Sequence, residues 1–176
     1  VLRSPFNGEV QRVNRPGMRL ALRVVFPPLP QDRSRIFVNR LMRSVQQGLR
    51  MEIPDTVGQQ GAPGLNVTVD GPIAGGTSLP LKGLPIGYAA REGWWLSVVD
   101  ASGRHYAHTL AAPFVADTSG EAVASVWPPL REEFADGAAV HLARPMIEGW
   151  VTDDQLTWQL NVRHHTSIGF TIEERR

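Results

Sequence analysis

The chain has 176 residues, 42% of them apolar, enough for an ordinary core in one large or two small units; it has no cysteine, which excludes disulfides, thiolate nucleophiles and cysteine-ligated metal centres. The formal net charge is +1, yet residues 1–62 carry ten arginines against four carboxylates, a net +6, and residues 63–176 carry eight basic against thirteen acidic side chains, a net −5. No apolar run approaches the roughly 20 residues of a membrane span, and the N-terminal stretch lacks a signal-peptide core, so a soluble protein made in a cytoplasm is expected.

Taken in chain order, Glu9–Arg12 and Met18–Phe26 alternate apolar and polar residues around the turn Asn14–Gly17, which predicts a β-hairpin. Pro27, Pro28 and Pro30 then stop the second strand, because proline cannot donate to a ladder. In Asp32–Gly48 the apolar residues Phe37, Leu41 and Val45 recur every fourth position, with Val38, Met42 and Leu49 on the same side. This predicts one amphipathic helix, N-capped by Asp32 or Ser34, stopped by Gly48 and buried through Phe37, Leu41 and Val45. Leu49–Ile53 reads as a short strand, and the glycine- and proline-rich run Pro54–Gly64 reads as a crossing between units.

From Leu65 onward, short strand-like runs alternate with turn signals: LNVTV, SLPLKGL, WWLSVV, RHYAHTL, EAVASVW and AAVHLA. That rhythm predicts a compact antiparallel barrel or sandwich. At the end of the chain, Leu156–Val162 and Ile168–Ile172 form another predicted hairpin, and two strands alone are marginal in water. Its natural partner is the unit at the other end, so residues 63–142 read as a barrel inserted into a unit made of 1–62 plus 143–176, with Leu156–Val162 pairing to strands of the first 55 residues.

Candidate chemistry is sparse. His105, His108, His141, His164 and His165 show no metal-ligand spacing, and His105 and His108 should face opposite sides of a strand. Glu132 and Glu133, beside Asp136, lack a marked partner carboxylate and read as a solvated turn. No serine sits in a nucleophile elbow, and the glycine run at 71–76 has neither the lysine nor the helix of a phosphate loop. The expectation is a protein that is not an enzyme and needs no metal or cofactor. Adjacent Trp94 and Trp95 must face opposite sides of a strand, one of them covered by a further element or by another subunit, whereas Trp127, Trp150 and Trp158 read as packing residues. Arginine replaces lysine everywhere except at Lys82, which suits planar, bidentate ion pairs between subunits. Arg12, Arg15, Arg19, Arg23, Trp94 and Trp95 are therefore the candidate subunit-interface residues.

Several phrases fall in an order that resembles the distal tail proteins of siphophages and prophages. They are the opening Ser4-Pro5-Phe6-Asn7-Gly8, Phe26-Pro27-Pro28-Leu29 before the helix, and Lys82–Val99. Val126-Trp127-Pro128-Pro129-Leu130-Arg131, then Ala135-Asp136-Gly137, and finally Gly169-Phe170-Thr171-Ile172-Glu173-Glu174 complete the order. The glutamine- and glycine-rich Gly58-Gln59-Gln60-Gly61 and the arginine density of the first part depart from it. The resemblance implies a mainly β fold: a tail-tube-like β-sandwich with one supporting helix and an inserted small β-barrel. It also implies a virion structural protein at the tail tip, assembled in the bacterial host cytoplasm as a homo-hexameric ring between tail tube protein and tail hub protein, with a host-surface receptor or receptor-binding protein as a further partner and no specific nucleic acid. The alternatives are a β-barrel binding module for glycan or single-stranded nucleic acid, and a hydrolase with a diffuse site.

Overall fold

The computed structural model describes residues 2–3, 10–11, 19–53, 61, 64–152, 158–160 and 165–175. In chain order its elements are β1 (Leu2–Arg3), β2 (Val10–Gln11), β3 (Ala21–Val25), β4 (Leu29–Pro30), α1 (Gln31–Gln47) and β5 (Leu49–Glu52). Next come β6 (Val67–Val69), β7 (Gly76–Lys82), β8 (Ala89–Ala90), β9 (Trp95–Val99), β10 (His105–Leu110), β11 (Phe114–Val115), β12 (Ala122–Leu130) and β13 (Ala139–His141). The chain closes with β14 (Met146–Val151), β15 (Trp158–Leu160) and β16 (His165–Glu174). The fold is mainly β, with one helix among the described residues.

Six antiparallel strands close a barrel in the order β10-β12-β7-β6-β13-β9. Alternation along each strand fills it: Leu79 and Leu81, Leu96 and Val98, Ala124 and Val126 are fully buried, while their neighbours of opposite parity face outward. Closure removes the exposed edges that six separate short strands would otherwise present. The barrel's strands lie in the chain between β5 and β14, and those two strands pair directly, Ile147 opposite Met51.

The second sheet is organised by the ten-residue β16. Its first residues lie between β15 and β4, and its later ones between β3 and β14. Ile168, Phe170 and Ile172 alternate into a core shared with Ile147, Val151 and the helix residue Leu41. Phe26, Phe37 and Phe170 join strand end, helix and sheet, with the first two ring centroids 4.4 Å apart. Gly149 stands opposite Glu174, where a Cβ would lie 1.8 Å from the Glu173 carbonyl oxygen, so only glycine fits.

Several expectations need correction. Val10–Gln11 pairs with Leu2–Arg3 and not with β3, because the long apolar β16 offers β3 a buried partner that a two-stranded ribbon lacks. Leu156–Val162 contributes β15, which pairs with its hairpin partner β16; it is β16 that pairs with strands of the first 55 residues. The helix is entered from Pro30 without a side-chain cap, since proline already fixes the backbone there, and Ser34 is buried with its hydroxyl donating to the Gln31 carbonyl at 3.0 Å. Gly48 does end the helix, at φ 81° with its N–H donating to the Ser44 carbonyl. Leu41 is buried, Phe37 is half-buried and Val45 is exposed, because the small Ser44 takes the inward position in the last turns.

Candidate functional site

Barrel and sheet meet along a charged seam. At the end of β16 the alternation that buries Ile168, Phe170 and Ile172 also carries Glu174 inward, to 1% exposure. One carboxylate oxygen accepts the Ala107 N–H of β10 at 2.8 Å, and the other is paired with Arg131, just past β12. A buried carboxylate persists only when its charge is met in this way. A second carboxylate, Glu148 on β14, accepts Arg50 Nε–H at 2.8 Å and the His105 N–H at 3.2 Å, and the Arg50 guanidinium also donates to the Gly103 carbonyl at 2.7 Å. Ser97, fully buried on β9, accepts the Met146 N–H at 3.0 Å.

His105, His108 and His141 lie beside this seam. His105 and His141 stack with centroids 5.2 Å apart, brought together because β10 and β13 both flank β9. Burial holds both imidazoles below their ordinary pKa, and for His105 the neighbouring Arg50 charge works in the same direction. His108 faces the barrel interior with Tyr106 and Leu110, and burial lowers its pKa to about 4. Its Nδ1 lies 2.8 Å from the Pro128 carbonyl, so in the neutral ring Nδ1 carries the hydrogen. Among the described residues no group of three histidines or carboxylates is placed to hold a metal ion. A shallow cleft of roughly 130 Å³ between Leu65, His141 and Arg144 is small beside the several hundred Å³ of an ordinary ligand pocket.

No family model matches the chain, and no curated protein matches it.

The carboxylates of the REEFADG turn separate: Asp136 is held by Lys82 at 2.5 Å and by the Gly71 N–H at 2.9 Å, while Glu132 is half-buried and Glu133 is exposed. The bond to Asp136 raises the Lys82 pKa and lowers that of Asp136, and it ties the end of β7 to the turn before β13. Of the candidate interface residues, Arg12 and Arg15 lie outside the described residues. Arg19 is bound to Glu173 at 3.1 Å, and Arg23 is exposed on β3. Trp94 packs against the barrel core and Trp95 against the sheet core, so both tryptophans are partly covered by the chain itself. Trp127 was expected to be a packing residue and is instead 48% exposed: the inward parity of β12 belongs to Ala124, Val126 and Leu130. Trp150 carries the Arg175 guanidinium 4.7 Å over its ring. The side chains of Trp158, His164 and His165 lie outside the described ones. Sequence reasoning missed Glu174, although its even spacing from Ile168, Phe170 and Ile172 was the available signal.

Proposed function

We propose that this chain is a structural subunit of a phage-like tail tip, forming a ring that joins the tail tube to the distal hub or baseplate. What supports the reading is the plan of the fold. Strands β3, β4 and β5 from before the barrel and β14, β15 and β16 from after it form one helix-backed sheet, and the closed barrel lies in the chain between the paired strands β5 and β14. The resemblance to distal tail proteins implies that same plan, with residues 1–62 plus 143–176 as the ring-forming part and residues 63–142 as the barrel. A subunit of this kind acts by geometry, presenting one face to the copy beside it and another to the proteins above and below. Its surroundings are then the virion tail tip, the five other copies of a homo-hexameric ring, the tube protein and the hub protein.

The test is co-assembly: the chain is expressed with tail tube and hub proteins and imaged by negative-stain electron microscopy. Closed rings capping tubes are expected. Tubes and hubs that assemble identically without the chain, and never retain it, count against the proposal.

A second reading draws on Trp127, whose exposed ring beside Ser125 on the outer wall of β12 suits stacking of a sugar or a base. Quenching or a shift of tryptophan fluorescence by an oligosaccharide or a thymidine oligonucleotide, lost in Trp127→Ala, would favour a barrel binding module.

A further inference from the structure

Among the charges that form no ion pair with a described residue, two groups of opposite sign stand out. Arg19, Arg50 and Arg144 each bind a carboxylate of the same chain: Glu173, Glu148 and Glu52. The helix arginines do not. Arg33, Arg40 and Arg43 are exposed, and none forms an ion pair with a described residue. Their spacing, together with Ile36, sets them along one stripe of α1, since residues three and four apart are neighbours on a helix. Ile36, in the middle of that stripe, is 57% exposed. The face of α1 that packs on the sheet, through Phe37, Leu41 and Ser44, is a different one. The outward stripe is thus an apolar residue flanked by three guanidinium groups.

The complementary surface is on the barrel, at the turn between β11 and β12. The Asp117 carboxylate accepts the N–H groups of Ser119 and Glu121 at 2.8 and 2.9 Å, and the Asp117 N–H donates to the Glu121 carbonyl at 2.9 Å, so the turn is held in one shape. Asp117 and Glu121 are exposed and form no ion pair with a described residue. Val115 and Val123, on the two strands joined by this turn, are 66% and 64% exposed. The turn is therefore an apolar pair flanked by carboxylates, the inverse of the helix stripe.

We infer that the Arg33–Ile36–Arg40–Arg43 stripe of α1 docks on the Val115–Asp117–Glu121–Val123 turn of a second copy of this chain. This inference rests on the ring reading above and names the two faces that meet. Each copy offers one face of each kind, so the contact is head-to-tail, the class that closes into rings when the rotation permits. A second copy fits better than a nucleic-acid strand, because the stripe has no aromatic side chain on which a base could stack. Exposed pairs are individually weak; repetition around a ring and the apolar centre of the contact set its register and strength.

The experiment uses the full chain and two surface variants. One is Arg33→Glu with Arg40→Glu and Arg43→Glu, the other Val115→Arg with Glu121→Arg, with near-UV circular dichroism confirming that each is folded. Mass by light scattering is followed against concentration. Each variant alone should need about tenfold or more concentration to assemble than the native chain. An equal mixture should regain assembly, because the acidic helix of one variant meets the basic turn of the other while the native pairing survives at the reverse contact. If the native chain forms rings and the helix variant forms them equally well, this contact is overturned while the ring reading stands. Loss in both variants without recovery on mixing also overturns the pairing. A native chain that stays monomeric with tail neighbours present removes the ring reading and this inference together, and retention of a thymidine oligonucleotide by the native stripe, lost in the helix variant, replaces the second copy by nucleic acid.

Discussion

Replacing Glu174 by alanine removes the side chain that, among the described residues, ties the last strand of the sheet to the barrel through charge. The carboxylate is 1% exposed, and its loss takes the same acceptor from two groups: the Ala107 N–H, in a fully buried residue 2.8 Å away, and the Arg131 guanidinium, whose side chain is 20% exposed. Breaking a buried pair from one side costs about 3–5 kcal/mol. The partial access of Arg131 to water places this site toward the lower end, at about 3 kcal/mol. Glu174→Gln keeps an acceptor for Ala107 and should cost less, about 1–3 kcal/mol. The double variant Glu174→Leu with Arg131→Met replaces the pair by apolar side chains and should recover most of the loss. Urea unfolding followed by tryptophan fluorescence measures these proteins together with the single variants Glu174→Leu and Arg131→Met, which complete the double-mutant cycle that isolates the coupling. A Glu174→Ala loss below about 0.5 kcal/mol, the size of an ordinary surface change, would refute the seam as described.

Further predictions follow from individual side chains. His108 is neutral in the fold with a pKa lowered to about 4, against 6.5 ordinarily, so its contribution is complete above pH 6.5 and is lost as pH falls toward 4, about 3 kcal/mol in all. His105 and His141, also lowered, add to the loss in the same direction; urea midpoints between pH 7.5 and 4.5 should show the slope, and His108→Leu should flatten it. Leu41→Ala should cost about 2–5 kcal/mol by urea unfolding, and Val45→Ala, at an exposed position, less than about 0.5 kcal/mol. Gly149→Ala forces a methyl into the Glu173 carbonyl and should cost about 3 kcal/mol or more, read as a lowered thermal midpoint.

The barrel and the helix were legible because each writes its period into the chain. Two-residue alternation broken by glycine turns marks the strands from Val67 to His141, and the four-residue recurrence of Phe37 and Leu41 marks α1. What periodicity does not carry is which face a partner covers. Val45 belongs to the same apolar series as Leu41, yet Ser44 faces the sheet beside it. Trp127 looked like packing material by size, but its parity on β12 turns it to the outside. The stack of His105 on His141 depends on two strands flanking a third, a relation between residues 36 positions apart that no local spacing records. Glu174 was hidden by composition: it stands among the charged residues Glu173, Arg175 and Arg176, while the strand's alternation continues through it into the seam. The arginine-rich start of the chain did not reveal how its charges divide: Arg19 and Arg50 are paired within the chain, whereas Arg33, Arg40 and Arg43 form no ion pair with a described residue.

If the chain works as a ring of identical subunits, its mass by light scattering across an ionic-strength series, with near-UV circular dichroism of the same samples, will show it. A closed multi-subunit species is expected at low salt, giving way to a folded monomer as salt rises, since exposed ion pairs are screened and the subunit core is not. A monomer at high protein concentration and low salt, still monomeric when its tail neighbours are supplied, would contradict it.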